Sequence, residues 1–296
     1  MELGLARQPD ELCLSFAQSM LESLFMPSDC YINFTYLKNK SIVERYFRPI
    51  DIDSDAFRNE IESKVNDGWN IHYGICGRRC KSAKADDVNL VPALWVDLDA
   101  KDFRHGMEEA SSQFEKLPMP TFIVNSGHGY QGIWKLNPRI EIRSQADRLK
   151  VEGILKGLAK FVNGDAVCDV SRRLRLPETI NYKFIDDPVP CYLDFMSCVP
   201  LAGGEAQYEL DDFEHFCREM PLPKAQNIQF ANELSPVPDI TKLPKDIQEL
   251  ITNPPETGSR SEAVFRVTAA MRKTGFTPEQ ILALFMNYPI GNRYGE

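Results

Sequence analysis

Residues 93–99 read ALWVDLD, an apolar run that ends in two acidic residues separated by a single leucine. Tryptophan and valine in a run of this length favour a β-strand. Because side chains alternate across a strand, Asp97 and Asp99 share one face, with their Cα atoms about 7 Å apart. Carboxylates at that spacing can bridge two divalent cations in phosphoryl transfer, and Mg²⁺ and Mn²⁺ prefer oxygen ligands of this kind. The alternative is a strand end whose acids simply face solvent.

The next strongly patterned stretch is VNSGHGYQGIWKL at 124–136. It predicts two strands, 121–125 and 130–136, joined by a glycine-rich turn into an antiparallel hairpin. Successive backbone N–H groups in such a turn can form a nest for phosphate oxygens, to which side chains add hydrogen bonds. The candidate phosphate contacts are Ser126, Gly127, His128 and Gln131. An ordinary glycine hairpin with an incidental histidine is the competing interpretation.

A third stretch, DAVCDVSRRLRLPETINYK at 165–183, concentrates cations around a short apolar strand. The cations are Arg172, Arg173, Arg175 and Lys183, and two acids, Asp165 and Asp169, precede them. On an alternating strand Arg173 and Arg175 share a face, where two guanidinium groups repel each other unless they meet an anion. Their planar geometry matches phosphate, so the strand predicts a phosphate-facing surface. A solvated strand edge paired with local acids explains the pattern equally well.

The chain has 296 residues and a formal net charge of −9, which argues against a uniformly basic coat for nucleic acid. Two acidic stretches, 51–67 and 205–219, account for that excess, whereas CGRRCKSAK at 76–84 contains four cations and no acid. Because the local sign of charge decides what a cleft binds, the basic stretch predicts contacts to DNA. We assign these contacts to Arg78, Arg79 and Lys81.

The cysteines bear on metal binding and on the compartment. Cys76 and Cys80 in CGRRC suggest zinc, but a structural zinc site needs four ligands and no second close pair follows, so we expect no zinc. Eight irregularly spaced cysteines are typical of reduced thiols in the cytoplasm. The N-terminus lacks a secretory pattern, and no apolar run approaches the roughly 20 residues that span a bilayer. We expect a cytoplasmic protein without a membrane partner.

Strands and helices alternate irregularly along the chain, which predicts a mixed sheet in an α+β fold. We expect one large domain over 1–216, a linker over 217–250 and a small helical module over 251–296. In that module, capping signals at Ser259 and Thr277 predict the starts of two helices. The final residues, PIGNRYGE, carry no terminating signal, as expected of a truncated module in a fragment of a longer protein.

In their order and spacing, VDLD, SGHGYQGIWKL and DVSRRLRLPETINYK resemble the archaeo-eukaryotic primase superfamily, in particular the primase-polymerases of plasmids and phages. The resemblance covers roughly residues 70–200. The tail over 258–294 is similar to the helical C-terminal module found downstream of such catalytic domains. The fold implied is an RRM-like antiparallel sheet beside an N-terminal α/β unit, followed by the small helical module.

The resemblance also assigns roles to individual acids and cations. It implies that Asp97 and Asp99 are the first two ligands of two Mg²⁺ or Mn²⁺ ions, and that Asp165 or Asp169 is the third. Ser126 and the turn glycines are expected to hold the triphosphate of the incoming nucleotide. The cations expected near the phosphates are Arg172, Arg173 and Lys183.

The sequence departs from the family pattern at two positions. Many members have histidine where Gln131 stands here, whereas this chain has its histidine at 128, inside the turn. Either Gln131 takes over the hydrogen bonding or His128 reaches the nucleotide from the side. The family often has glycine where Glu178 follows Pro177, so the bend there is expected to differ.

The activity implied is template-directed nucleotidyl transfer by a two-metal mechanism, making primers or extending DNA in plasmid, phage or mobile-element replication. The implied partners are a single-stranded DNA template and ribo- or deoxynucleoside triphosphates, and the resemblance leaves open a helicase domain or protein as a further partner. Two alternatives use the same residues differently. One is a catalytically silent module that binds a replication origin, and the other is a metal-dependent nuclease.

Overall fold

The computed structural model describes residues 12–166, 168–184, 186–196, 206–218, 238–255 and 260–291. The chain divides into two compact units, Met1–Pro221 and Leu222–Glu296. The helices of the first unit are α1 (Leu14–Phe25), α2 (Asp55–Asn66), α3 (Met107–Ser112) and α4 (Gln145–Phe161). Its strands are β1 (Ile32–Lys38), β2 (Ser41–Phe47), β3 (Asn70–Gly74), β4 (Gly77–Arg78), β5 (Val88–Asp99), β6 (Phe122–Asn125), β7 (Gly129–Glu141), β8 (Arg173–Arg175), β9 (Thr179–Asn181) and β10 (Val189–Met196). The α+β class is confirmed.

The larger sheet has six strands in the order β4-β5-β7-β6-β10-β9. Every neighbouring pair is antiparallel, so the expectation of a mixed sheet was wrong for these strands. The expected hairpin is confirmed, because β6 and β7 pair antiparallel across the turn at 126–128. On the other side of β7, the register with β5 sets Asp97 opposite Gln131 and Asp99 opposite Gly129. The acidic pair and the glycine turn therefore lie at the same end of the sheet.

The smaller sheet has four antiparallel strands in the order β2-β1-β3-β8. β8 pairs with β3, with Arg173 opposite Gly74. The next strand, β9, instead pairs with β10 of the larger sheet. The chain thus crosses from one sheet to the other between Arg175 and Thr179, which places its arginine-rich stretch where the two sheets meet.

Helix α4 covers the sheet beside the acidic pair. Ser144 opens it with a capping box, in which its hydroxyl accepts from the Asp147 backbone while the Asp147 carboxylate accepts from the Ser144 backbone. Its buried apolar side chains are Val151, Ile154, Leu155 and Leu158. A β-carbon added at Gly157 would lie 1.7 Å from the carbonyl oxygen of Phe216. Glycine at 157 therefore permits the segment around Phe216 to pack directly against the helix.

We expect the substitution Gly157→Ala to destabilise the first unit by roughly 2–3 kcal/mol, because the added methyl group forces the Phe216 backbone away from α4. Helix propensity alone predicts the opposite sign, a gain of about 1 kcal/mol. Chemical denaturation followed by tryptophan fluorescence measures this unit, since all three tryptophans lie within it. Ser63→Ala, at an exposed position of α2, is the control and should change stability by less than about 0.5 kcal/mol. A more stable Gly157→Ala variant would contradict this packing.

The second unit contains three helices among its described residues, α5 (Lys245–Thr252), α6 (Arg260–Thr274) and α7 (Pro278–Asn287). The two helices expected in the module are confirmed, and Thr277 caps α7 as expected, whereas Ser259 lies outside the described residues. The apolar cluster of this unit includes Ile247 and Ile251 of α5. The segment expected to be a linker, 217–250, thus contains most of a helix that packs in the unit. No described helix of either unit is long and apolar enough to cross a membrane.

Candidate active site

A cleft of about 260 Å³ opens where the two sheets meet. It gathers side chains from both sheets and from the segments that join them. They are His72, Asp97, Asp99, Ser126, His128, Gln131, Arg172, Arg173, Arg175, Asn181 and Lys183. The three sequence motifs, together with His72 of β3, therefore contribute to one cavity. Four cationic side chains face two carboxylates in it, so the cleft is locally basic in an acidic chain.

One guanidinium group joins two of the candidate metal ligands. Nη2 of Arg172 donates to the carboxylates of both Asp97 and Asp165, at 2.7 Å in each case. The backbone fixes the same arrangement, because the Asp165 N–H donates to the carbonyl of Asp97 at 2.8 Å. A β-carbon at Gly164 would lie 3.0 Å from that carbonyl, so a small residue suits the approach of the turn to β5. Asp165 is thereby held beside Asp97 by contacts of both backbone and side chain.

The electrostatics of this pair follow from burial and charge. Burial raises the pKa of Asp97, Arg172 opposes that rise, and the nearby carboxylates of Asp165 and Asp99 add to it. Burial alone would lower the pKa of Arg172, but its bonds and charge interactions with Asp97 and Asp165 outweigh burial and raise that pKa. Arg172 thus partly balances the negative charge of Asp97 and Asp165.

The other candidate for a third ligand, Asp169, has a different environment. Its carboxylate accepts from the Ser171 backbone at 2.9 Å and also from the Ser171 hydroxyl. It therefore stabilises the turn that leads into Arg172. Within the described residues, no hydrogen bond joins Asp169 to Asp97 or Asp99. Of the two alternatives left open by the sequence, the geometry favours Asp165.

Asp99 is also paired with a cation, because Lys101 donates to its carboxylate. In the part of the chain that the structure describes, no three His, Cys, Asp or Glu side chains are already arranged around a common metal position. The donors nevertheless fit Mg²⁺ or Mn²⁺ chemically, since three carboxylates gather at one strand end and attract cations of the chain itself. For Asp97 and Asp165 to hold a metal together, Arg172 would have to give up at least one of its two contacts.

The cationic wall of the cleft is held by polar contacts from β1, β2 and β3. Arg173 donates to Asn33 at 3.1 Å and pairs with Glu44 at 3.1 Å. Arg175 donates to Asn70 at 2.8 Å, and burial lowers its pKa. These contacts orient the guanidinium groups before any ligand arrives, which reduces the entropy lost on binding an anion. Lys183, by contrast, is exposed at the cleft.

The glycine turn differs from the expected phosphate nest. The N–H of Ser126 donates to the Gly129 carbonyl at 2.9 Å, and the N–H of Gly127 donates to the Asn125 side chain at 2.9 Å. Asn181 donates to the Ser126 carbonyl at 2.7 Å. Two of the amides expected to hold phosphate are therefore already bonded within the protein. In this conformation the turn forms a rigid wall of the cleft.

Both residues proposed to replace the family histidine reach the cleft. Gln131 is buried, and its Oε1 has no hydrogen-bond partner in the described structure. Nε2 of His128 is also buried without a partner, and the ring packs edge-on against Phe184, with 5.0 Å between ring centroids. Burial lowers the pKa of His128, and Lys183 lowers it further. Two neutral polar groups thus offer unused hydrogen-bonding atoms beside the carboxylates.

No protein-family profile and no curated protein matches this sequence. Among solved structures, the AEP domain of the cyanophage S-2L primase-polymerase (PrimPol) is similar, with a TM-score of 0.50 and 12% identity over 70% of this chain and 99% of that one. The chain has the archaeo-eukaryotic primase fold. The resemblance noted in the sequence is thus confirmed at the level of fold. Primase RepB′ is also similar at 12% identity, both as a catalytic domain in complex with initiator DNA (TM-score 0.41, 61% of this chain, 85% of that one) and in a second structure (0.44, 92% and 87%).

Two residues of the cleft, Asn181 and His72, were not predicted from the sequence, and His72 has the more unusual environment. Its position in β3 sets it opposite Arg175 and Thr35 on the two neighbouring strands. Nδ1 of His72 is buried without a hydrogen-bond partner among the described residues. Burial lowers the pKa of His72 to about 3, and Arg175 and Arg173 add to the effect. The only sequence signal was a histidine in an apolar strand, which gives no hint that arginines surround it.

We expect the low pKa of His72 to make the folded protein sensitive to acid. The unfolded chain binds a proton at this histidine near pH 6.5, whereas the folded protein does so only near about 3. Below pH 6.5 the unfolded state therefore binds more protons, and stability falls as the pH decreases. When chemical denaturation is repeated between pH 7 and 4, the free energy of unfolding of His72→Gln should decrease less with falling pH than that of the wild type. His105→Gln, at an exposed position, is the control and should keep the wild-type slope.

In the basic stretch 76–84, only some of the cations predicted to contact DNA are exposed. Arg78 is fully buried and donates to the carbonyls of Lys84 and Ser171, at 3.1 and 3.5 Å. A side chain without exposed surface cannot contact DNA, so the prediction for Arg78 was wrong, and its role is to fasten the loop to the turn before β8. Arg79 and Lys81 are exposed, as their predicted role requires.

Proposed function

We propose that this protein is a template-directed primase-polymerase that transfers nucleotidyl groups by a two-metal mechanism. The observation that supports it most is a cleft in which Asp97 and Asp99 face a pre-oriented cationic wall, with Asp165 joined to Asp97 through Arg172. Carboxylates that collect divalent cations, next to cations that match a triphosphate, are the two components that phosphoryl transfer requires. The primase fold is compatible with this activity.

The metal ligands in this proposal are Asp97, Asp99 and Asp165. Bound there, Mg²⁺ or Mn²⁺ ions would lower the charge on the triphosphate, favour ionisation of the attacking 3′-hydroxyl and stabilise the leaving pyrophosphate. The turn that carries Asp165 is fixed to the backbone of Asp97. The backbone therefore fixes Asp165 beside Asp97, although Arg172 would have to release at least one of the two carboxylates for a metal to bind.

The cationic wall provides the binding site for the nucleotide. Arg173 and Arg175, held by Asn33, Glu44 and Asn70, present fixed positive charge to the phosphates. Lys183 adds an exposed cation at the cleft, which Ser126 of the glycine turn also lines. Gln131 and His128, which line the same cleft, present polar side chains to the nucleotide.

Arg172 changes partners during this cycle. Without metal, it neutralises Asp97 and Asp165. If Asp97 and Asp165 held a divalent cation, Arg172 would lose these partners, and its guanidinium group would be available to the triphosphate in the same cleft. Arg172 would thus neutralise the carboxylates before metal binds and the phosphates afterwards. We therefore expect metal and nucleotide each to increase the affinity of the protein for the other.

The partners in this proposal are a single-stranded DNA template and ribo- or deoxynucleoside triphosphates. Because the net charge is −9, binding to DNA alone should be weak and should depend steeply on salt. Metal and nucleotide add positive charge and contacts at the cleft, so DNA binding should tighten when both are present.

A single gel experiment tests the proposal. The wild-type protein is incubated with a single-stranded template, with and without a primer, labelled NTP or dNTP, and Mg²⁺ or Mn²⁺. Extended primers or new dinucleotides that depend on metal and template support polymerisation. Loss of primer or template without any nucleotide would instead identify a nuclease. Binding to DNA that is insensitive to metal, together with no incorporation, would identify a silent binding module.

A further inference from the structure

A separate cavity, of about 890 Å³, lies at the opposite end of the six-stranded sheet from the cleft. Asn89 and Leu90 line it at the start of β5, whereas the cleft is lined by Asp97 and Asp99 at the end of that strand. The strand places Asn89 roughly 25 Å from Asp97. We call this space the distal cavity. It is outside the site proposed for nucleotidyl transfer, and its volume is typical of small-molecule sites.

The two acids that line the distal cavity already have cationic partners. The carboxylate of Asp29 pairs with Arg48, and that of Glu141 pairs with Arg143 at 2.6 Å. The acids of the lining are thereby neutralised by these two arginines. The other charged side chains of the lining are all positive, and they are Arg79, Lys135 and Arg139.

Arg139 carries a positive charge that no carboxylate balances. Its guanidinium group donates to the backbone carbonyls of Pro27 at 3.0 Å, of Ser23 at 3.3 Å and of Met26. Among the described residues, no acid forms an ion pair with it. Burial lowers the pKa of Arg139, because desolvation penalises the charged form. The guanidinium group has further N–H donors, so an anion could bind there and offset the cost of burial.

Asn89 adds a second polar group whose hydrogen-bonding capacity is unused. Its Oδ1 is buried and accepts no hydrogen bond from any residue that the structure describes. The backbone of the same residue is fixed to β7, because its carbonyl accepts from the Ile142 N–H at 2.9 Å. A buried acceptor without a donor costs free energy, which the N–H group of a ligand would recover.

The spacing of these two groups indicates the class of ligand. Asn89 lies beside Ile142, and Arg139 precedes Ile142 by three residues, so about 10 Å separates the two positions along the sheet. A fitting ligand therefore carries an N–H donor at one end, a phosphate at the other and an apolar body between them. Nucleotides combine a base N–H, flat rings and phosphates in this order. The apolar residues that line the cavity are Leu90, Leu136, Pro138 and Ile142.

We propose that the distal cavity binds a free nucleotide, with its phosphates on Arg139 and a base N–H on Oδ1 of Asn89. This site is additional to the one proposed for the incoming nucleotide and does not depend on it. Its positive charge comes from side chains of the chain itself, so binding requires no divalent cation. The cleft, by contrast, presents Asp97 and Asp99 to a triphosphate, and these repel it until metal binds.

The binding test uses the full chain in EDTA and, as the probe, ATP that carries a methylanthraniloyl fluorophore. We expect the wild type to bind the probe without metal, Arg139→Gln to raise the Kd roughly tenfold and Asn89→Leu to raise it roughly fivefold. Arg173→Gln, which removes a cation of the cleft, should leave this metal-free Kd within about twofold. Lys40→Gln, an equal change of charge at the exposed turn between β1 and β2, is the control and should leave it unchanged.

Inorganic triphosphate, used as a competitor of the probe, separates the two ends of the ligand. It has the phosphates of a nucleotide but no base. Arg139→Gln should therefore weaken triphosphate binding roughly tenfold, whereas Asn89→Leu should leave it unchanged. Because Arg139 also holds the backbone over residues 23–27, Arg139→Lys is the second variant at this position. It keeps the charge and should retain most of the affinity, which distinguishes loss of charge from a loosened backbone.

Several results would overturn the inference. A wild type that does not bind the probe in EDTA would exclude the site, as would a wild-type Kd in both Arg139→Gln and Asn89→Leu. Loss of metal-free binding in Arg173→Gln would assign the probe to the cleft instead. A single-stranded oligonucleotide that displaces the probe at lower concentration than ATP does would show that the cavity binds a strand rather than a free nucleotide. None of these measurements needs catalysis, so they test the distal cavity even if the protein incorporates no nucleotide.

Discussion

Replacing Asp165 with asparagine should lower the rate of nucleotide incorporation by roughly a thousandfold. The substitution keeps the size of the side chain and removes one negative charge from the proposed metal site, a loss of about 4 kcal/mol of transition-state stabilisation. The bond from Arg172 to Asp165 would also weaken, but the bond to Asp97 would remain. Single-turnover extension of a primer in Mn²⁺ measures the effect.

Asp169→Asn is the matched control for this prediction. The asparagine oxygen can still accept from the Ser171 backbone, so the turn before Arg172 should persist. We expect its rate to remain within about threefold of the wild type. The opposite pattern, with a severe loss in Asp169→Asn and little loss in Asp165→Asn, would show that the third ligand is Asp169 rather than Asp165.

Arg172→Gln should have two effects of opposite direction. In the absence of nucleotide, Mn²⁺ should bind roughly tenfold more tightly, because the metal no longer competes with a guanidinium group for Asp97 and Asp165. Incorporation should nevertheless fall roughly a hundredfold or more, because the released cation is missing from the triphosphate. Electron paramagnetic resonance of free Mn²⁺ measures the first effect.

Arg173→Gln is the control that distinguishes loss of a phosphate-binding cation from loss of a cation that competes with metal. Arg173 is bonded to Asn33 and Glu44 and not to the carboxylates at the end of β5. Its loss should weaken nucleotide binding and leave the affinity for Mn²⁺ unchanged. If Arg172→Gln folds normally and binds Mn²⁺ no more tightly than Arg173→Gln does, Arg172 does not compete with metal and the exchange of partners is excluded.

The sequence predicted those parts of the fold that are coded locally. The apolar strand that ends at Asp97 and Asp99 and the glycine-containing hairpin are both signalled by residues close together in the sequence, and the structure confirms both. β2 was missed because SIVERYF has no fully buried residue and contains charges, so its side chains show little apolar alternation. β5 begins before the expected strand because a register shift around Pro92 accommodates a residue that cannot donate to the ladder.

Which individual residues line the site was harder to predict than the sequence motifs that contribute to it. The roles of Arg78 and His72 were missed because burial depends on how the two sheets meet, which no local pattern records. The choice between Asp165 and Asp169 depends on one backbone hydrogen bond to Asp97, formed between residues far apart in the sequence. The bend at Glu178 was expected to differ from the family's for lack of glycine, but its φ of 61° is a conformation that glycine favours, so the backbone gives no support to that expectation.

The most direct test of the central claim compares the wild type with the Asp97→Ala/Asp99→Ala double variant on a primed single-stranded template with Mn²⁺ and labelled nucleotides. We predict metal-dependent primer extension or dinucleotide synthesis by the wild type and none by the double variant, with both proteins folded by circular dichroism. A double variant that extends primers or makes dinucleotides as well as the wild type would contradict the proposed two-metal mechanism.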